Sequence, residues 1–135
     1  MKLAFYIHIP YCSKRCGYCD FNTYTPSELK ISSGLNEISN NYIDLVLKEL
    51  ELAKSKIQEP VHVSSIFFGG GTPSLMEPED LGRVIRKIRT DFVQTDEVEI
   101  TLEANPDSVD KQKLQQFFDV GINRVSIGMQ SAVNH

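Results

Sequence analysis

No apolar run approaches the ~20 residues needed to span a bilayer, so the sequence carries no transmembrane segment. Cysteine is scarce and odd in number. Three in 135 residues cannot all pair, which argues against a disulfide framework. Positive charge is not in excess: 14 Lys and Arg against 18 Asp and Glu leave a net charge of −4. The resulting pI near 5.3 argues against a nucleic-acid partner, whose binders are usually basic. Low-complexity tracts and internal repeats are missing. A secretory leader is not expected, because the apolar stretch 3–9 is too short and is interrupted by His8 and Pro10. A lipoprotein signal needs small residues before its cysteine, and here Tyr11 precedes Cys12. Three unpaired thiols suit a reducing cytosol, so a cytoplasmic location is expected.

What is present is an ordinary globular balance, 41% apolar and 24% charged, of a length that suits one domain. Strand and helix patterns alternate. Residues 3–9 read as a strand, followed by a loop over 10–33 that holds every cysteine. Residues 40–57 read as a helix with Ile43, Val46, Leu47, Leu50, Ala53 and Ile57 on one stripe. A second strand over 62–68 ends at Gly69-Gly70-Gly71. A second helix spans 78–92, with Pro78 in its first turn, Glu79 and Asp80 complementing the dipole, and Leu81, Val84, Ile85 and Ile88 as its stripe. Residues 98–103 form a third strand. Asp107 or Ser108 caps a third helix running to Val120, its apolar face made of Leu114, Phe117 and Phe118. Gly121 terminates it as a left-handed cap, and 124–128 form a fourth strand. The order is βαβαβαβ, which implies an α/β fold with parallel strands.

Alternate residues of a strand face opposite sides. Phe5, Ile7 and Ile9 are thereby separated from Tyr6 and His8; Val98, Ile100 and Leu102 from Glu99, Thr101 and Glu103; Val125, Ile127 and Met129 from Arg124, Ser126 and Gln130. A doubly wound sheet is covered on both faces and reads apolar throughout. One apolar and one polar face fit a barrel, with helices outside and a functional lumen inside. Ile66, Phe67 and Phe68 in a row do not discriminate.

Cys12-Ser-Lys-Arg-Cys16-Gly-Tyr-Cys19 places three thiols within eight residues, directly after a strand. Thiolates so closely spaced suit an iron–sulfur cluster or a metal ion. Zinc is normally four-coordinate, with His8 or Asp20 as the available fourth ligand; incidental thiols are the remaining reading. Three ligands on a four-iron cluster leave one iron open. Lys14 and Arg15, between the first two thiols, are either tuning charges for such a cluster or solvated loop residues.

The C-x3-C-x2-C spacing with Tyr18 before the last cysteine resembles the radical S-adenosylmethionine superfamily. The resemblance runs through Tyr6-Ile-His-Ile-Pro-Tyr-Cys12, Cys19-Asp-Phe-Asn22, Phe68-Gly-Gly-Gly-Thr-Pro-Ser74, Glu103-Ala-Asn-Pro106 and Gly121-Ile-Asn-Arg-Val-Ser-Ile-Gly-Met-Gln-Ser131. This ordered set is similar to the N-terminal part of the oxygen-independent coproporphyrinogen III oxidase-like group, most of all to haem chaperones of the HemW type. It implies a partial TIM-like barrel in which Cys12, Cys16 and Cys19 bind a [4Fe–4S] cluster and S-adenosylmethionine chelates the open iron. It further implies that Gly70, Gly71 and Thr72 line the amino-acid end of that cofactor, that Glu103 takes its ribose, that Gln130 contacts the nucleoside, and that Tyr6 and Tyr18 contact the cofactor. Arg124 is expected in a structural ion pair, Asn105-Pro106 as turn chemistry, and His8 as a satisfied strand histidine.

The oxidase subgroup has a further cysteine two residues beyond the third, where this chain has Phe21. That departure favours a haem chaperone over a radical decarboxylase of coproporphyrinogen in porphyrin biosynthesis. A Cys3His zinc module is the third alternative. Haem or porphyrin and a haem-acceptor protein are the implied partners; the electron donor is unassigned. A complete barrel takes roughly 250 residues, so residues 1–135 are expected to be the N-terminal part of a radical S-adenosylmethionine core domain, truncated before the rest of the barrel and the C-terminal domain. Such a piece would expose a sheet edge and apolar faces, and is expected to be poorly stable and inactive alone.

Overall fold

A computed structural model describes residues 1–31, 36–129, 131 and 133, with the side chains of 36–39 and 94–96 outside the description. Four parallel strands alternate with three α-helices: β1 (Lys2–Ile9), α1 (Asn36–Lys56), β2 (His62–Gly70), α2 (Pro78–Asp91), β3 (Val93–Ala104), α3 (Lys111–Asp119) and β4 (Arg124–Ile127). The strands lie side by side in the order β1-β2-β3-β4. A doubly wound sheet reverses its order at a switch point. This one advances in a single direction, as a barrel wall does.

The parity expected from the sequence is the parity of the sheet. Ile7, Ile9, Val63, Ile66, Phe68, Ile100 and Leu102 are buried beneath the helices. The core is completed by Ile43, Val46 and Leu50 of α1, by Leu81, Val84, Ile85 and Ile88 of α2, and by Phe117 of α3. The register sets Tyr6, Phe67, Thr101 and Arg124 in one row across the opposite face. Strand β2 thereby resolves its apolar triplet: Phe67 turns to the inner face, where its ring stacks on Tyr6 at 6.1 Å. On the helix side of β4, Val125 and Ile127 are 36% and 51% exposed.

The boundaries differ from the sequence reading at informative places. Strand β3 starts at Val93 because its N–H reaches the Val61 carbonyl at 2.9 Å, and a register shift then joins this short pairing to the main ladder. Helix α1 begins four residues earlier than the periodicity suggests. The cap of α3 is neither Asp107 nor Ser108: those two lie in a separate 3-10 turn, Pro106–Ser108. Val109 is then extended, and Asp110 caps α3 by accepting from the Lys113 N–H at 2.7 Å. Phe118 is exposed, because its neighbour Phe117 already points at the core and one step turns a helix by about 100°. Gly121 ends the helix with φ of +110°. Its N–H bonds the Phe118 carbonyl while that of Ile122 bonds the Phe117 carbonyl, which is a Schellman motif.

Candidate functional site

The loop after β1 is closed at its base and cross-linked through its middle. Tyr11 bridges Tyr24, with Cys12 N–H donating to the Tyr24 carbonyl at 3.1 Å and Tyr24 N–H to the Pro10 carbonyl at 2.7 Å. Within it, Cys19 N–H turns back to the Cys16 carbonyl at 3.1 Å. Arg15 spans the loop: it donates to the Thr23 carbonyl and pairs with Glu28 through Nε at 3.0 Å and Nη2 at 3.2 Å. Glu28 in turn accepts from the Thr25 N–H and hydroxyl at 2.8 and 2.9 Å. These donors, Arg15 foremost, lower the Glu28 carboxyl to about 2. Arg15 is therefore neutralised by Glu28 and acts as a strut of the loop. Lys14 is exposed at the rim.

The glycine turn after β2 docks against this loop. Gly71 N–H donates to the Ile9 carbonyl at 2.8 Å and Thr72 N–H to the Tyr11 carbonyl at 2.7 Å. A Cβ on Gly71 would run into the Tyr11 carbonyl and come within 3.0 Å of Cys12 Sγ, so only glycine lets the two segments meet. Gly70, at φ +116°, turns its N–H toward Glu103 Oε2 at 3.2 Å. Thr72 is 5% exposed and donates its hydroxyl to Cys12 Sγ at 3.8 Å.

The outcome is one cleft of about 300 Å³ at the C-terminal ends of the strands. Cys12, Cys16, Cys19, Tyr18, Gly70, Gly71, Thr72 and Glu103 all line it. Local desolvation, then the Cys16 and Cys19 thiolates, raise the Tyr18 phenol above its ordinary value. Tyr6 lies further down the inner face and does not line the cleft; its hydroxyl bonds His8 Nδ1 at 3.1 Å, and burial and then Glu103 raise its phenol. Gln130 lies outside the described residues. Arg124 forms the expected ion pair, with Glu99 at 3.7 Å, and also donates to Thr101.

The donor set fits a polynuclear cluster better than a single ion. Both ring nitrogens of His8 are engaged, Nδ1 with Tyr6 and Nε2 with the Asn22 carbonyl at 2.9 Å, so it is not free to complete a zinc tetrahedron. Among the described residues, no three His, Cys, Asp or Glu side chains converge as ligands of one metal ion. A cluster binds each thiolate through a different iron, so its ligands need not converge on one point.

The sequence reading missed several lining residues. In sequence Phe21 is only a departure from the oxidase pattern, whereas in the structure its exposed ring forms part of the wall. Ser126, Ile127 and Gly128 join from the end of β4, and Asn105 from the end of β3. The available signal is position: each lies at the C-terminal end of a parallel strand or on the loop after it, where barrel sites gather.

The profile of the Radical SAM superfamily matches residues 6–135. A protein named heme chaperone HemW from Mycobacterium tuberculosis is 41% identical over 126 residues, which is 93% of this chain and 31% of that protein. The mitochondrial radical S-adenosyl methionine domain-containing protein 1 of Mus musculus is 39% identical over 130 residues, 96% of this chain and 27% of that one. Among solved structures, coproporphyrinogen III oxidase (HemN) from Escherichia coli, described as a radical SAM enzyme, superposes with a TM-score of 0.80 at 26% identity, over 96% of this chain and 28% of its own. The chain thus spans about a third of the relatives it matches.

Proposed function

The chain belongs to the Radical SAM superfamily, and from that premise we propose that Cys12, Cys16 and Cys19 hold a [4Fe–4S] cluster whose fourth iron receives S-adenosylmethionine. The carrying observation is convergence: three thiols from one loop share a cleft with the glycine turn and Glu103. Bound together, the two cofactors supply one-electron cleavage of a C–S bond, chemistry that belongs to them rather than to the protein. The chain's residues bind and orient. Gly70, Gly71 and Thr72 line the amino-acid end, where close backbone approach is possible. Glu103 offers two carboxylate oxygens to the ribose diol, Gln130 and Tyr18 contact the rest, and Tyr6, on the inner face beside Glu103, reaches the cofactor from below the cleft.

The whole protein is read as a haem chaperone that binds haem and passes it to an acceptor protein in a reducing compartment. Two observations support this over porphyrinogen decarboxylation: Phe21 stands where the oxidase subgroup has a cysteine, and the relative at 41% identity is named a haem chaperone. The likeness to coproporphyrinogen III oxidase keeps the second reading testable. The test uses the full-length protein, reconstituted anaerobically with iron and sulfide. About four irons per chain and saturable binding of hemin, without conversion of coproporphyrinogen under reductant and S-adenosylmethionine, are expected. Robust protoporphyrinogen formation would overturn the chaperone reading; failure to take up iron and sulfide would overturn the cluster.

A further inference from the structure

We propose that Asn105 is a positioning residue for the cluster, directing the single hydroxyl proton of Thr72 onto the sulfur of Cys12. This rests on the reading of Cys12 as a cluster ligand. Asn105 Nδ2 lies 3.3 Å from Thr72 Oγ1, and Thr72 Oγ1 lies 3.8 Å from Cys12 Sγ. An amide nitrogen only donates, so the Thr72 oxygen must accept from it. A threonine hydroxyl has one proton of its own, and with Asn105 closed to it as an acceptor, that proton goes to the sulfur. Thr72 is nearly buried, so water does not compete freely for the bond.

Asn105 is held so that its side chain has little choice. Pro106 follows it, which favours extended backbone, and its φ and ψ are −94° and 149°. Its N–H donates to Ser108 Oγ at 3.1 Å, and the Ser108 hydroxyl donates back to its carbonyl at 2.7 Å. With its one proton spent there, Ser108 can only accept from the adjacent hydroxyl of Ser74, which is fully buried. Each hydroxyl proton along Ser74, Ser108 and Thr72 therefore has an assigned direction, and the last reaches Cys12. The relay joins the turn after β3 to the glycine turn after β2, and through it to the cysteine loop.

A hydrogen bond to a cluster sulfur stabilises the more negative, reduced form and raises the reduction potential. The test is a dithionite titration of the anaerobically reconstituted full-length protein, followed by the spectrum of the one-electron-reduced cluster. Thr72→Val, which removes the donor, is expected to make the couple about tenfold harder to reduce, a shift of about 59 mV for one electron. Thr72→Ser, which keeps the hydroxyl, is expected to stay near wild type. Asn105→Ala is expected to shift the potential in the same direction, and to have no further effect when combined with Thr72→Val. Asn105→Asp leaves Thr72 in place but offers its proton an acceptor, so it carries the same test should Thr72→Val load poorly. An equal effect of Asn105→Ala in both backgrounds, or unchanged potentials in Thr72→Val and Asn105→Asp, would overturn the relay. Wild-type protein that assembles no cluster would instead overturn the underlying reading, so the two failures are distinguishable.

Discussion

The Arg15 guanidinium grips both carboxylate oxygens of Glu28, 13 residues away, with Nε–Oε1 at 3.0 Å and Nη2–Oε2 at 3.2 Å. Arg15 sits between Cys12 and Cys16, and Glu28 lies beyond the Tyr11–Tyr24 bridge that closes the loop. Their pairing ties the arc bearing the thiols to the segment that returns from it. Fork-on-fork geometry fixes orientation as well as distance. Both side chains are substantially exposed, so the effect belongs to loop order rather than to global stability.

Glu28→Ala and Arg15→Met should each speed cluster loss several-fold under a chelator, with little change in global unfolding. Iron release followed by absorbance measures the first, and denaturant melts the second. Arg15→Lys should rescue only partly, because an ammonium cannot reproduce the bidentate fork.

The same pair sets a pH dependence. The Glu28 carboxyl is lowered from 4.5 to about 2, first by Arg15 and then by Thr25. A depressed carboxylate contributes stability that is complete above its unfolded value and lost as pH falls through the folded one. Its contribution to the order of the loop should therefore be full above 4.5 and disappear toward 2. Carboxyl-carbon NMR of the apoprotein should show Glu28 titrating at the low end of that window. In Arg15→Met the titration should move back toward the ordinary value.

Gly71→Ala should abolish or sharply reduce cluster loading, because its Cβ would meet the Tyr11 carbonyl and Cys12 Sγ at 3.0 Å. Gly17→Ala is the contrasting substitution. A Cβ there meets nothing within 4 Å, although Gly17 lies between two of the cysteines. Iron and sulfide counts on the two variants should separate them clearly.

Glu103→Ala should weaken S-adenosylmethionine binding at least tenfold, since hydrogen bonds to a charged group contribute about 1.5–3 kcal/mol. It should also free the Gly70 N–H from its partner. Calorimetric titration of the cluster-loaded protein measures the loss, and unchanged affinity would remove Glu103 from the cofactor site.

Gly121→Ala should destabilise the fold by about 1–2 kcal/mol, the cost of a side chain in a left-handed backbone. Its φ is +110° in the Schellman turn that ends α3. A shift in denaturation midpoint with unchanged slope is the expected signature.

Elements built on local rules were legible residue by residue. The stripe of α2 buries Leu81, Val84, Ile85 and Ile88 as its spacing implies, and Gly121 adopts the left-handed cap its position suggested. The cap of α3 was misplaced because Asp107, Ser108 and Asp110 offer equivalent capping chemistry. Only the extended Val109, which separates the 3-10 turn from the helix, selects among them. Phe118 was misassigned because helical periodicity tolerates a neighbour on the stripe, whereas packing admits one ring there. Of the site, the cysteines and the glycine turn were visible as clusters in sequence. Asn105 was read as turn chemistry alone, since its partners Thr72 and Ser108 sit 33 residues before it and 3 after.

By itself, the sequence determined the alternation of strand and helix, the two-faced strands and the closely spaced thiols. Each of these is a matter of spacing within a few residues, where backbone geometry leaves little freedom. The tertiary structure alone decided which charges are spent within the fold and which polar atoms meet across it. Arg15 lines the cleft, but its charge is paired there because the return of the chain past Tyr24 brings Glu28 to it. Thr72, Asn105 and Cys12 come from three different strand ends, and only parallel pairing in the order β1-β2-β3 places those ends side by side. Local patterns state which groups are available; the sheet's register decides which of them are within a hydrogen bond of one another.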